Sequence, residues 1–448
     1  MATVLALITI PAASAGAADG TEALNIGSSS ELSWFALALG RQPLPANDGW
    51  AADGPGTTGG SAADADHVYI AHSRAELVVA LGGNNATNRT NATPKIIYLA
   101  GTINGFEGAD GALLSCADLA DPGFSLDAYL AAYDPAVWGR VNPSGPLEDA
   151  RVRSVANQTR QTQINVGPNT TIIGLRDATL LNLTLMLDGA SNTIVRNVTF
   201  NDGRDCFPQW SPTDGATGNW NSQFDNASVR RSSNVWFDHN TFTDGDDPDS
   251  TQPVYFGRPL QWHDGNLDIT HTSSLVTVSF NRFTNHDKVM LIGSSNTVGP
   301  DVGRLNVTLH HNLFDGVNQR LPRVRFGKVD VYNNAYRLAE PFDYALGVGV
   351  QSAIVAENNF FTVGAGIAVG DILHDWGGTV ITEGGTWARL GDGPVQRIGL
   401  LDAYNATHDP GFGADAGWTP VLRAGPVLPA PAVPVVVQLL AGAGRLPV

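Results

Sequence analysis

Three aspartates and three cations stand out by type and spacing. Asp264 and Asp268 lie in "HDGNLD", Asp225 precedes them in "NSQFD", and Lys288, Arg320 and Arg325 follow. No basic residue sits among the carboxylates of "HDGNLD", so together with Asp225 they would repel one another strongly unless a cation joined them. An all-oxygen donor set of this kind suits Ca2+, with positions left for water or ligand. Asp214 and Asn221, in "PTDGATGNWNSQFD", are further oxygen donors nearby. The cations have the opposite need. The chain holds 26 Lys and Arg against 43 Asp and Glu, a formal charge of −17, yet "QRLPRVRFGK" gathers Arg320, Arg323, Arg325 and Lys328. Guanidinium forks grip carboxylates in bidentate fashion and Lys supplies a compact charge. A calcium site followed by a row of cations describes a receptor for a linear polyanion with a carboxylate on each repeat. For Arg323 and Lys328 a solvated strand edge or a scaffold role competes with that reading.

These residues need a frame, and the frame is repetitive. From residue 170, six segments share the template apolar-x-apolar-x-x-Asn-x-apolar, with Asn197, Asn240, Asn281, Asn312, Asn334 and Asn359 at spacings of 43, 41, 31, 22 and 25. The short spacings define a coil of 22–25 residues, and the long ones carry inserts. Period-2 strands repeated at that length predict an all-β, parallel β-helix, a single solenoid whose coils stack at about 4.8 Å. Asn tolerates a left-handed corner, and stacked Asn side chains can hydrogen-bond as a ladder. The ladder also serves as a ruler. Asp225 lies 15 residues before Asn240, Asp264 and Asp268 lie 17 and 13 before Asn281, and Arg320 lies 14 before Asn334. Lys288 lies 24 before Asn312, and the Gly/Ser-rich "GSSNTVGPDVG" after it accounts for the surplus. The five therefore fall on one stripe. Inserts such as "DGDDPDSTQPVYFGRPLQW" emerge there and would wall a groove.

The remaining segments complete the expectation. Residues 1–17 read as a signal peptide, an apolar run before Ala-Ser-Ala, which predicts a secreted protein. Residues 18–66 form an irregular lead-in and residues 67–446 the solenoid domain. "SRAELVVALGG" predicts a capping helix with a Ser73–Glu76 capping box and a Gly stop, followed by the strand "PKIIYLAGTI". Residues 105–160 form an excursion with one helix near "SLDAYLAAYDP", and "VVVQLLAGAGRL" is a terminal cap or docking strand. Cys116 and Cys206 either pair or stay as separate buried thiols, since their spacing does not decide. A pI near 4.8 argues against nucleic acid or an anionic membrane as partner, and no later run spans a bilayer. A monomer is expected.

"VWFDHNTFTDG", "HDGNLD", "FTNHDKVMLIGSS", "VTLHHNLF" and "QRLPRVRFGKVDVYNN" together resemble the pectate lyases of polysaccharide lyase family 1. The likeness extends to "NDGWAADGPGTTGG", "PKIIYLAGTI" and "FPQWSPTDG" and covers roughly residues 38–446. It implies a right-handed parallel β-helix that cleaves polygalacturonate by β-elimination, leaving a 4,5-unsaturated sugar. By the resemblance, Asp225, Asp264 and Asp268 are the calcium ligands, Arg320 is catalytic, and Lys288 and Arg325 bind the substrate carboxylate. Asp214 and Asn221 would hold extra ions. The motif departs at Asp330, where the family usually has His. Strand alternation points Asp330 outward, near the basic strip. Three other readings compete. A pectin lyase acting on methyl-esterified pectin would need neither the carboxylates nor the cation row. Hydrolysis by paired carboxylates would not require the Arg–Lys strip. A non-catalytic polyuronate-binding solenoid would keep the whole site without the proton transfer.

Overall fold

The computed structural model describes residues 32–448, so the signal reading of residues 1–17 lies outside the described residues. The chain winds into a right-handed parallel β-helix with three sheets of ten, ten and eight strands. Each coil contributes one strand to each face. In one coil, Ser274–Ser279 lies in the back sheet, Arg282–Lys288 in the side sheet and Leu291–Ile292 in the groove sheet. The next repeats the pattern with Val307–His310, Leu313–Gln319 and Arg323–Val324. Among the described residues, registers within these three sheets are parallel except at the last strand, Val395–Arg397, which pairs antiparallel at the C-terminal edge of the side sheet. Inward-facing residues form one continuous core. Phe200, Phe242, Phe283, Phe314, Tyr336 and Phe361 stack along it ring on ring at 4.4–5.1 Å.

The corner between back and side sheets holds the asparagine ladder. The side-chain oxygen of each Asn accepts the backbone N–H of its predecessor, from Asn240 through Asn281, Asn312 and Asn334 to Asn359, each at 2.9 Å. Two expectations about it need correction. Asn197 is one residue out of phase, because Val198 N–H, not that of Asn197, donates to the Asn240 oxygen. The left-handed corner is also not the ladder position. It falls on the residue before, His239, Phe280, His311, Asn333 and Asn358, all with φ between 51° and 55°. Asn197 belongs with that set at φ 58°. The ladder Asn is therefore selected by its side-chain hydrogen bonds, not by backbone tolerance. Asn312→Ala should strand the Asn281 N–H and the Val278 carbonyl in a dry corner. The expected loss is roughly 2–4 kcal/mol, read as a lowered urea midpoint.

A capping helix, Arg74–Leu81, closes the N-terminal end and buries Leu77, Ala80 and Leu81. Ser73 accepts the Glu76 N–H at 3.1 Å, but the Glu76 carboxylate reaches past Ser73 to the N–H of His72 at 2.7 Å. The excursion contains four helices where the sequence predicts one, and the longest is Pro146–Thr162. Its buried positions are Glu148, Ala150, Arg151, Ser154, Gln158 and Thr162, so it carries no apolar stripe to betray it. Arg151 instead makes a fork with Glu148, at 2.9 and 2.7 Å, and donates to the Phe207 carbonyl at 2.8 Å. A Cys116–Cys206 disulfide ties this layer to the solenoid and settles the open alternative in favour of pairing.

"VVVQLLAGAGRL" is neither a docking strand nor an end cap. Val433–Leu440 is a helix lying along the side sheet, with Val433, Val437 and Ala441 against Leu313, Ala335 and Phe360. Pro434 in the first turn and the i, i+4 apolar pair outweigh the β-branched composition.

The described segments on either side of the coils run lengthwise over them. Along the N-terminal strap, Trp50 and Ala51 donate to the hydroxyls of Thr308 and Thr277, and Gly59 and Gly60 donate to Asn192 and Thr171. A Cβ at Gly60 would stand 1.9 Å from the Lys95 carbonyl oxygen, which is why glycine is needed at that crossing. The C-terminal strap meets it where Gly49 donates to the Leu422 carbonyl at 3.2 Å, and later reaches Thr241 and Asn197 through Ala443 and Gly444. Asp330 belongs to this strap and not to the basic strip. It points outward from the back sheet but is 1% exposed, and Arg423 grips it at 2.6 and 3.0 Å. Burial pushes the Asp330 carboxyl up, with Arg423 pulling the other way.

Candidate active site

The groove sheet and the turns that enter it from the side sheet carry the chemistry. Asp225 precedes the groove strand Ala227–Arg230, Asp264 and Asp268 flank the start of Leu267–Thr270, and Lys288 ends the side strand Arg282–Lys288. Arg320 follows Leu313–Gln319, and Arg325 follows Arg323–Val324. Parallel pairing sets Ser228 beside Asp268, Gly265 beside Lys288, and Lys288 beside Gln319. Adjacent rungs thus bring five of the six predicted residues into direct or one-residue contact. Lys288 Nζ lies 3.1 Å from Asp264, and Arg320 Nη1 lies 3.8 Å from the same oxygen. Asp225 accepts the N–H of Gly265 at 2.8 Å, and a Cβ on Gly265 would stand 3.0 Å from Asp225 Oδ1 and 2.4 Å from Asp268 Oδ1. Asp225 and Asp268 therefore face each other across a glycine. The Gly/Ser-rich stretch leaves the coil after the groove strand, and its Asn296 accepts from Arg325 Nε at 2.6 Å. Asp214 and Asn221 meet each other at 3.5 Å in a separate hairpin, Gln209–Ser211 with Asn219–Asn221.

The electrostatics divide the three carboxylates. Burial, then the charges of Asp268 and Asp264, holds Asp225 well above the usual carboxylate range. Burial and Asp264 push Asp268 up to about 7. Burial opposes the charge of Asp264 too, but Lys288 and Arg320 outweigh it and hold its carboxyl low. Among the described residues, no three His, Cys, Asp or Glu side chains close into a metal cage, because Asp264 turns toward the cations. The donor chemistry nevertheless fits a hard cation. Two buried carboxylates confront each other with a third beside them, all donors are oxygen, and Ser228 supplies a hydroxyl against Asp225. Arg320 adopts a left-handed backbone at φ 60°, and its Nε is buried without a partner. Burial works against its charge, but Asp264 and Asp268 more than restore it, so its pKa is raised.

Sequence reasoning missed the layer beneath. His286 Nδ1 meets Asp244 at 2.7 Å, while Nε2 points at the carbonyls of Asp264 and Lys288 at 2.9 and 3.0 Å. His263 is held between Asp249 and Asp202, each at 2.9 Å. Burial opposes its charge, yet Asp244, Asp202 and Asp249 keep its pKa up at about 10. Gln261 accepts from Lys288 Nζ at 3.1 Å. Asp205 lies fully buried nearby, with burial lifting its pKa to about 6. The sequence signal was present in "NHDK" and "WHDG", where His lies within two residues of a predicted site residue. What it lacked was any means of pairing them with Asp244 and Asp202 from another coil.

A groove of this kind on a parallel β-helix, with facing carboxylates and a cation row, defines a polyanion-handling solenoid, and the comparisons narrow it. Residues 141–390 match the family model described as pectate lyase. A pectate lyase of Bacillus subtilis (strain 168) is 43% identical over 396 residues, covering 87% of this chain and 90% of that protein. Pectate lyase E of Dickeya chrysanthemi is 35% identical over 325 residues, 71% of this chain and 68% of that protein. Among solved structures, a thermostable pectate lyase superposes with a TM-score of 0.89 at 46% identity, covering 91% of this chain and 99% of that one. A pectate lyase bound to hexasaccharide gives 0.85 at 42% with the same coverage. The chain belongs to the pectate lyase family.

Proposed function

We propose that this chain is a calcium-dependent pectate lyase that cleaves polygalacturonate by β-elimination and releases 4,5-unsaturated oligogalacturonides. The observation that carries this reading is the contact of Lys288 and Arg320 with Asp264, beside the facing carboxylates of Asp225 and Asp268. Asp225, Asp264 and Asp268 would hold calcium, which neutralises the sugar carboxylate next to C5 and so acidifies the C5 proton. Lys288 and Arg325 grip the same class of carboxylate from the other side. Arg320 takes the C5 proton, the electrons form the C4–C5 double bond, and the glycosidic oxygen leaves C4. A guanidinium is a poor base in water. Here its proton is held on mainly by Asp264 and Asp268, so neutralising those two lowers its pKa toward usefulness. The disulfide fits an oxidising compartment and supports the extracellular assignment. Incubation with polygalacturonate and calcium should raise the ultraviolet absorbance of the conjugated product, and EDTA should abolish the rise. No rise, or one indifferent to EDTA, would sink the reading.

A further inference from the structure

His286 puts a polar ring at a core position. The side strand Arg282–Lys288 pairs in register with Leu313–Gln319, and the residue matching His286 one rung on is the buried Val317. Asn285, left-handed at φ 51°, resets the alternation of the strand, so that Phe283 is buried and then His286 and Lys288. A buried imidazole needs partners for both nitrogens. Nδ1 has Asp244 at 2.7 Å, and Nε2 has the carbonyls of Asp264 and Lys288 at 2.9 and 3.0 Å. A carbonyl oxygen only accepts, so Nε2 carries a hydrogen and shares it between the two.

Those two carbonyls flank a thin join between successive coils. Gly265 meets Lys288 through an isolated bridge, and the groove strand Leu267–Thr270 pairs with its successor at Ile269 and Ile292. Mounted on that join are the Asp264 carboxylate and the Lys288 ammonium, 3.1 Å apart. Asp244, which holds the other side of the ring, is itself braced. Its N–H donates to the Asn285 carbonyl at 3.3 Å, and its second oxygen lies 3.5 Å from His263 Nδ1. His263 precedes Asp264 in the chain and is gripped in turn by Asp249 and Asp202, each at 2.9 Å. The whole brace ends at one ring N–H and two main-chain oxygens.

Resting on the calcium and substrate roles proposed above, we infer that His286 is a positioning residue. Its shared N–H fixes the main chain of Asp264 against that of Lys288, and so sets the spacing between a calcium-binding carboxylate and a substrate-binding ammonium. Asp244 sets the ring. Without the clamp, two opposite charges on separate turns are free to close on each other or to swing apart, and either movement spoils both grips. Groups that orient a metal ligand from behind govern affinity as strongly as the ligand's own geometry does. Core filling alone does not call for this side chain, since Val317 fills the matching place one rung on.

The test sets positioning against packing. His286→Leu, combined with Asp244→Asn so that no buried charge is left unpaired, should raise the calcium needed for half-maximal rate and the KM for polygalacturonate. Each should rise about 10- to 100-fold, with kcat at saturation within about threefold of wild type. His286→Gln, whose amide N–H reaches toward the same carbonyls, should recover most of both losses. Packing alone predicts the opposite order, with Leu near wild type, and any lost folded fraction lowers apparent kcat without moving KM. Calorimetric calcium titration of EDTA-stripped protein should repeat the weakening in the absence of turnover. A crystal structure of the double variant should show the 3.1 Å Asp264–Lys288 pair displaced. Unchanged calcium affinity and KM, an undisturbed pair, or a fall in kcat at constant KM overturns the inference. If circular dichroism melts show the double variant unfolded, Asp244→Asn alone should show the rise, and wild-type values there overturn it equally. A wild-type chain that binds no calcium strikes the calcium reading itself, and the crystal structure still decides on His286.

Discussion

Arg320→Lys is expected to lower kcat on polygalacturonate by about 10²–10⁴-fold while leaving calcium binding intact, because the residue is assigned the proton transfer itself. Substitution by Lys keeps the positive charge beside Asp264 and so preserves the field around the carboxylates. It removes the reach and planarity of a side chain launched from a left-handed backbone at φ 60°. That backbone is held by the N–H of Met290, which donates to the Arg320 carbonyl at 2.9 Å, so the main chain should not move. Calorimetric calcium titration and product absorbance measured on the same sample separate the two effects. A variant with wild-type turnover would remove Arg320 as the base. A variant that loses calcium affinity in parallel would show that its charge, not its proton chemistry, is what matters.

The second large effect opposes stability to function at one residue. Asp268 pays for its position with a pKa of about 7, raised by burial and by Asp264. The sign follows from linkage. A carboxyl whose folded pKa lies above its unfolded value binds its proton more tightly when folded, so its contribution to stability falls as pH rises from about 4 to about 7 and stays low above that. Asp268→Asn keeps an oxygen for the Leu291 N–H, bonded at 2.9 Å in the native chain, and deletes the charge. In EDTA above pH 7 the variant should be more stable than wild type by on the order of 1–3 kcal/mol, and at pH 4 the two should coincide. With calcium present the order reverses for activity, and the calcium needed for half-maximal rate should rise at least about tenfold. The wild-type enzyme should need more calcium as pH falls below 7, since protons compete for the same oxygens. A variant destabilised at pH 8 in EDTA would contradict the repulsion that underlies the proposed site.

What could be read in the sequence was what repeats. Ladder phase put Asp225, Asp264, Asp268, Lys288 and Arg320 on one stripe because a solenoid turns linear spacing into spatial register. The same count failed at Asn197, which occupies the left-handed corner in register with His239 and leaves Val198 at the ladder position beside Asn240. Helix Pro146–Thr162 escaped because its buried face is polar and gives no hydrophobic period. Asp330 was placed on the correct face of its strand but given the wrong neighbours. Its partner, Arg423, arrives 93 residues later from the tail, and alternation within a strand says nothing about what crosses over it. His286 and Asp244 went unread for the same reason, a contact between coils 42 residues apart.

The lengthwise straps set the order in which this chain can finish folding. Coils stack on nearest neighbours, so early turns could in principle mature while later ones are still being made. The N-terminal strap forbids completion on that schedule, since Trp50 and Ala51 find their acceptors only at Thr308 and Thr277, 258 and 226 residues downstream. The C-terminal strap then returns across 247 residues to reach Asn197. Contacts of such separation slow a chain's search for its native state. The strap around Trp50, ahead of the solenoid, must therefore wait unfastened until the coil of Thr308 exists, the seventh of ten strands in the back sheet.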